Sequence, residues 1–213
     1  MPQFSLDCRL CPRLARHLDR ARAECPGYHA RPVAPFGVER PRLLVVGLAP
    51  GMHGANRTGR PFTGDHAGLL LYDTLHRFGF ASRPVSTGTR DGLELKQCRI
   101  TNAVKCLPPE NKPTAAEVAR CNGYLRDEFA ALSRGAAILA LGVVAHDAVL
   151  LALGMRRAAI RFRHNAQHEM PRRLTLYDSY HCSRYNTQTK RLTPDMFRNV
   201  FTDIARHLAA CQN

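Results

Sequence analysis

Four short apolar runs, at residues 42–46, 98–104, 136–141 and 174–179, alternate along this 213-residue chain with stretches of helical periodicity. Runs of this length bounded by breakers, as Arg42-Leu-Leu-Val-Val46 is by Gly47, predict strands covered on both faces. The helical stretches are four. Residues 66–78 carry Leu69, Leu70, Leu71, Leu75 and Phe78. Residues 114–133 open with the capping-box pattern Thr114…Glu117 and present Val118, Cys121, Leu125, Phe129 and Leu132 as one stripe. A shorter helix is expected over 143–153. The last begins at Thr193-Pro194-Asp195, a cap followed by proline at the first helical position, with Phe197, Val200, Phe201, Ile204 and Leu208 inward. Repeated alternation of strand and helix predicts an α/β fold: a three-layer α/β/α sandwich around a central, mostly parallel four-stranded sheet, with 1–213 forming a single domain. Residues 1–40, 80–97 and 154–172 read as irregular.

Open sheets of this kind bind ligands beyond the carboxyl ends of their strands. The loops there are 47–66, 105–113, the turn at 142, and 180–192. The first, Gly47-Leu-Ala-Pro-Gly-Met-His-Gly-Ala-Asn-Arg-Thr-Gly-Arg-Pro-Phe-Thr-Gly-Asp65, holds five glycines and two prolines. Ordering so many glycines is costly, and makes sense where backbone must approach a flat ligand closely. Phe62 is its single aromatic side chain and Asp65 its single carboxylate. Asp65 also fits the N-cap of the helix that follows, and the two roles are compatible. The loop lacks the order GxxxxGK[ST] and fits GxGxxG poorly, which argues against phosphate-loop or dinucleotide binding.

Charge narrows the partner. Thirty-one Lys and Arg oppose seventeen Asp and Glu, a formal net charge of +14, which suits a polyanion and nucleic acid first. A merely basic cytosolic protein is the bland alternative. No apolar leader and no stretch approaching a membrane span is seen, so a cytoplasmic protein is expected, with its eight cysteines as metal ligands or buried thiols rather than disulfides. Cys8-Arg-Leu-Cys11 is one pair; Cys106 and Cys121, the latter on an apolar helix stripe, are another. Four such thiolates suit either tetrahedral zinc or a [4Fe–4S] cluster, and spacing does not separate the two. Cys25, Cys98, Cys182 and Cys211 fit no ligand pattern and read as buried or unreactive thiols.

The run from Gly47 to Asp65 resembles the first motif of the uracil-DNA glycosylase superfamily, in its family 5 form. The run Ser-Tyr-His-Cys-Ser-Arg-Tyr-Asn-Thr-Gln-Thr-Lys-Arg-Leu-Thr at 179–193 resembles that family's second catalytic motif, with its histidine at His181. The resemblance implies a monofunctional enzyme that hydrolyses the N-glycosidic bond of uracil in DNA to start base excision repair. Hypoxanthine, xanthine and mismatched thymine are implied as further substrates. It also implies that the cysteines hold a structural [4Fe–4S] cluster in an N-terminal cluster-binding segment, through Cys8, Cys11, Cys106 and Cys121.

The residue roles it implies are these. Gly47, Leu48, Ala49, Gly51 and Phe62 form the base pocket. Most of the superfamily keeps a polar catalyst where this chain has Ala49, and family 5 shares the apolar choice, so water activation passes to Asp65 and Asn111. His181 would donate to the base oxygen, or else serve structurally at a strand end. Asn102 would read the imide edge of uracil; family 5 often has a small apolar residue there, so this departure favours stricter uracil reading, and a core asparagine satisfied by backbone is the alternative. Arg57, Arg184, Tyr185, Asn186 and Gln188 would contact DNA, with Arg184 or Tyr185 filling the gap left by a flipped base. Arg60, Lys105, Lys112, Arg161, Arg163, His164, Lys190 and Arg191 are candidate phosphate contacts. The expected partner is DNA carrying deaminated bases, met by a monomer with no membrane association. A damaged-DNA-binding module without turnover and a zinc-bound nucleic-acid adaptor are the rival readings.

Overall fold

The computed structural model describes residues 4–211. In chain order its elements are α1 (Pro12–Glu24), β1 (Phe36–Gly37), β2 (Leu43–Gly47), α2 (Ala55–Thr58), α3 (His66–Arg77), β3 (Cys98–Asn102), α4 (Ala115–Ala130), β4 (Ala137–Leu141), α5 (Val143–Ala152), β5 (Gln167–Met170), β6 (Leu174–Ser179), α6 (Arg184–Gln188) and α7 (Pro194–Ala210). Three short 3₁₀ turns complete the list at Pro109–Asn111, Arg157–Ala159 and Pro171–Arg173.

The sheet has six strands in the order β1-β3-β2-β4-β6-β5. The inner four are the expected strands and run parallel. The four-stranded expectation is corrected at both edges, where β1 and β5 pair antiparallel with β3 and β6. Neither edge strand carries a buried apolar run. β1 is two residues long, and Gln167-His-Glu-Met170 alternates exposed with inward residues, as a charged, short edge that discourages further pairing should.

The inner strands are apolar throughout because helices cover both faces. In β2, Leu44 and Val46 face the side of α1, α4 and α5, while Leu43 and Val45 face α3 and α7. β4 splits the same way, Ile138 and Ala140 against Ala137, Leu139 and Leu141. Helix starts follow the sequence. Thr114 accepts from Glu117 N–H while Glu117 accepts from the Thr114 amide, and Thr193 accepts from Met196 N–H.

Residues 1–40 are less irregular than expected, since they contain α1. Its stripe of Leu14, Ala15, Leu18 and Ala21 is narrow and set among arginines, which hides the period. Arg13 ties the helix to α4 by two hydrogen bonds, 2.9 and 2.8 Å, to the Glu117 carboxylate. Residues 154–172, also expected irregular, contain β5. Residues 80–97 are irregular as expected, apart from one bridge between Ala81 and Leu95.

Candidate active site

The carboxyl ends of β2, β3 and β6 open into a cleft of about 640 Å³, a volume that suits a small flat ligand. Leu48, Ala49, Gly51, Phe62, Asp65, Asn102, Asn111, His181 and Arg184 all line it, so three separate loops and a strand end bring the expected site residues together. Gly47 does not line it. A methyl on Gly47 would lie 2.5 Å from Asn102 Oδ1 and 2.6 Å from the Phe62 ring. The glycine therefore acts indirectly, by leaving room for those two side chains.

Asp65 combines the expected helix cap with a place in the cleft lining. It is the N-cap of α3, and Oδ1 accepts from Gly68 N–H at 3.2 Å. Oδ2 turns back toward the loop. A methyl on Gly51 would stand 3.5 Å from it and one on Gly54 only 2.3 Å away. Gly54, not singled out by the sequence, is thus the residue whose lack of a side chain lets the carboxylate lie against the loop.

Phe62 is buried and sits at φ 53°, a left-handed conformation uncommon for an aromatic residue. That turn lays its ring beside His181, with centroids 5.8 Å apart and planes 26° from parallel. Burial holds the His181 pKa below the ordinary imidazole value, with the charge of Asp65 offsetting part of the effect. The ring is therefore neutral near pH 7 and carries one N–H to donate.

Asn102 ends β3 with its side chain at the cleft, and among the described residues its amide has no protein hydrogen-bond partner. The satisfied-core alternative is not what the structure contains. Asn111 stands at the exposed rim, in a turn where Glu110 and Asn111 are both left-handed, a conformation asparagine tolerates.

Beside His181, α6 carries Arg184 at the cleft and Tyr185 outward, 70% exposed. Gln188 is exposed on the same helix. Asn186 donates a side-chain N–H to the His181 carbonyl at 2.8 Å and so positions that residue. Thr187 is joined to His66 at 2.9 Å, fixing α6 against the start of α3. Arg57 lies in an adjoining groove with Gly64, Leu69, Val85 and Arg184.

Two candidate phosphate contacts are corrected. Arg60 is buried, bonded to Asp91 at 2.8 and 2.9 Å and stacked over Phe36. Lys105 is 2% exposed, with its ammonium on Glu128 at 2.6 Å and on Thr101. Both are structural. Lys112, Arg161, Arg163 and Lys190 are exposed. His164 is partly buried and stacked on Tyr180 at 4.9 Å, while Arg191 is exposed with its guanidinium 4.7 Å from the same ring centre.

The four expected cysteine ligands share one small cavity between α1, α4 and the loop after β3. Lys105 N–H donates to Cys121 Sγ and the Tyr124 hydroxyl to Cys8 Sγ, each at 3.4 Å. Burial pushes Cys121 up to about 11, and burial with the three neighbouring sulfurs pushes Cys106 higher still. Of the other cysteines, Cys98 and Cys182 are buried, Cys25 is half-buried, and Cys211 is exposed.

A mixed sheet with four parallel inner strands covered on both faces, and a cleft beyond their carboxyl ends that holds an imidazole and a capping carboxylate, define an α/β class with its candidate site at the strand ends. The family model described as the Uracil DNA glycosylase superfamily matches residues 34–205, and the chain belongs to that superfamily. It is 46% identical over 204 residues to the type-5 uracil-DNA glycosylase of Thermus thermophilus, covering 93% of each chain. It is 45% identical to the Mycobacterium leprae protein of the same name, over 95% of this chain and 91% of that one. The type-5 protein of Pyrobaculum aerophilum is 42% identical, over 92% and 86%.

Proposed function

We propose that this chain is a uracil-DNA glycosylase of the type-5 kind, a hydrolase that cleaves the N-glycosidic bond of uracil in DNA and leaves an abasic site. The observation that carries the reading is the convergence of Phe62, Asp65, Asn102 and His181 on one cleft. A base inside duplex DNA must be flipped to reach such a site. Phe62 then supports its ring, and Asn102, with an unpaired amide, reads its imide edge. Neutral His181 donates to a base oxygen as negative charge builds there, an interaction strongest in the transition state. Asp65 keeps Oδ2 free of the helix cap, so it can hold a water and stabilise a cationic sugar. Asn111 at the rim assists that water, since Ala49 offers no polar atom. Among the described residues no lysine lines the cleft, which fits hydrolysis without a Schiff base.

In the same reading, Cys8, Cys11, Cys106 and Cys121 hold a structural [4Fe–4S] cluster within a chain that acts as one domain. The donor set fits. Tetrahedral zinc would draw four sulfurs to about 3.8 Å from one another. Among the described residues, the group whose donor atoms all lie within 4.8 Å of one another contains none of these cysteines. A cluster spreads its thiolates over four irons. The buried thiols of Cys106 and Cys121 hold their protons strongly and need a cationic centre to become thiolates. The cluster would pin α1 to α4.

Tyr185 or Arg184 enters the gap left by the base, and Arg57, Gln188 and the exposed cations of 157–163 and 190 follow the phosphates. No helix among the described residues is long and apolar enough to cross a membrane. We read the protein as a cytoplasmic monomer, with hypoxanthine, xanthine and mismatched thymine as secondary substrates. Incubation with a uracil-containing duplex followed by alkali tests the activity. Strand scission at uracil is expected, and its absence with retained DNA binding would favour the damage-binding module instead.

A further inference from the structure

Away from the cleft, three side chains from three elements converge: His146 of α5, His168 of β5 and Asp178 of β6. One donor atom of each lies within 4.8 Å of the others. His146 and Asp178 are buried, while His168, on the antiparallel edge strand, is partly open to solvent. Nδ1 of His146 is 2.8 Å from one Asp178 oxygen, and Nε2 of His168 is 3.2 Å from the other. Among the described residues no arginine, lysine or backbone amide donates to this carboxylate. A fully buried carboxylate with only two imidazoles for partners requires a cation beside it.

The second ring nitrogen of His146 says where that cation sits. Nε2 faces the Ile160 carbonyl at 3.2 Å. A carbonyl only accepts, so Nε2 carries a proton. An imidazolium would donate Nδ1–H to Asp178, whereas a neutral ring with its proton on Nε2 aims the Nδ1 lone pair at the Asp178 oxygen and leaves a place for a positive centre between the two acceptors. An imidazole with one nitrogen held by a backbone carbonyl and the other free is how proteins orient a histidine toward a metal.

We propose that His146 Nδ1, His168 Nε2 and a carboxylate oxygen of Asp178 bind a divalent transition-metal ion, zinc by ligand type, with water entering past His168 as the fourth ligand. Two imidazoles and one carboxylate suit zinc. The ion clasps α5 to both strands at the end of the sheet opposite the cysteine-rich edge, and does not depend on the activity proposed above. The present spacing of His146 and Asp178 is that of a shared proton. Zinc at about 2.1 Å from each donor sets tetrahedral donors about 3.4 Å apart. The ion therefore displaces the proton and parts the pair by roughly 0.6 Å, so binding weakens as pH falls.

The test is calorimetric titration of the protein as isolated with zinc alone, paired with cobalt(II) spectra. The expected result is one zinc per chain at this site, retained in Cys8→Ser, and weakened at least ~10-fold in His168→Ala and in Asp178→Asn. His168 is at an edge and partly exposed, so its variant should keep the wild-type far-ultraviolet circular dichroism even if Asp178→Asn does not fold. Bound cobalt should show ligand-field bands without thiolate charge transfer. Equal zinc binding by wild type and His168→Ala, no binding by either, or a cobalt spectrum with thiolate character alone would overturn the proposal and leave a shared proton as the cation.

Discussion

The imidazole of His181 lies face to face with the ring of Phe62, 5.8 Å between centroids, and the two come from motifs more than a hundred residues apart. In the proposed reading a flat base bound here would meet both, one as a platform and one as a donor. Replacing Phe62 by Ala should lower kcat/KM for uracil excision by roughly 10- to 100-fold, the scale of one lost base stack. His181→Ala should cost about 10²- to 10³-fold in single-turnover rate while leaving the Kd for DNA nearly unchanged. A His181→Ala variant that loses DNA affinity instead would make the residue a binding group only.

Asp65 turns its two oxygens in two directions, Oδ1 to the helix cap and Oδ2 toward the loop. Asp65→Asn keeps a good helix cap and removes the charge, so its melting temperature should stay near wild type while single-turnover activity falls. Asp65→Ala should in addition destabilise the fold by about 1 kcal/mol. Full activity in Asp65→Asn would remove the residue from the chemistry.

Gly51 and Gly54 form a matched pair against the same carboxylate oxygen. Ala at Gly54 would place a methyl 2.3 Å from Asp65 Oδ2, and Ala at Gly51 one at 3.5 Å. Gly54→Ala should therefore depress kcat strongly and Gly51→Ala weakly. Equal effects would show that the contact with Asp65 is not what the glycine is for.

Two histidines should give pH responses of opposite sign. Burial lowers the His181 pKa, so the unfolded chain takes up this proton first. Its contribution to stability is complete above about pH 6.5 and is lost as pH falls toward the depressed folded value. Burial also works against charge on His146, but the Asp178 hydrogen bond and charge outweigh it and the pKa is raised. Its contribution is present below about pH 6.5 and lost as pH rises through the folded value. Melting temperatures across pH, measured with chelator for wild type, His181→Ala and His146→Gln, should show the acid-side loss vanish in the first variant and the alkaline-side loss vanish in the second.

Tyr185 is exposed beside the cleft and has no evident structural duty. Tyr185→Ala should slow excision from a matched duplex while sparing single-stranded substrate, where no gap needs filling. Equal loss on both substrates would place the wedge elsewhere, with Arg184 the next residue to test.

The central strands were legible because β2 and β4 are buried at every position, and double burial leaves a continuous apolar run. The cleft loop was legible because Phe62 and Asp65 stand alone in a glycine-rich run. β1 and β5 were not, since their pairing is supplied by β3 and β6 and leaves little trace in Phe-Gly or Gln-His-Glu-Met. Arg60 and Lys105 misled for a related reason. A cation is exposed by default, and only the fold brings Asp91 and Glu128, 31 and 23 residues away, to neutralise them. Asn186 likewise reads as a surface amide until the His181 carbonyl is seen beside it.

The bond between Arg13 and Glu117 spans 104 residues of sequence. On a chain made from its amino terminus, α1 emerges first and has nothing to dock on until β2, β3 and α4 have followed. Closure of so long a loop is slow compared with local helix formation. The arginine-rich face of α1 suits that interval, because a helix waiting for its partner stays soluble when most of its surface is charged. Its narrow apolar stripe, which hid the helix from view in the sequence, also leaves little apolar surface on it for association while the chain is unfinished.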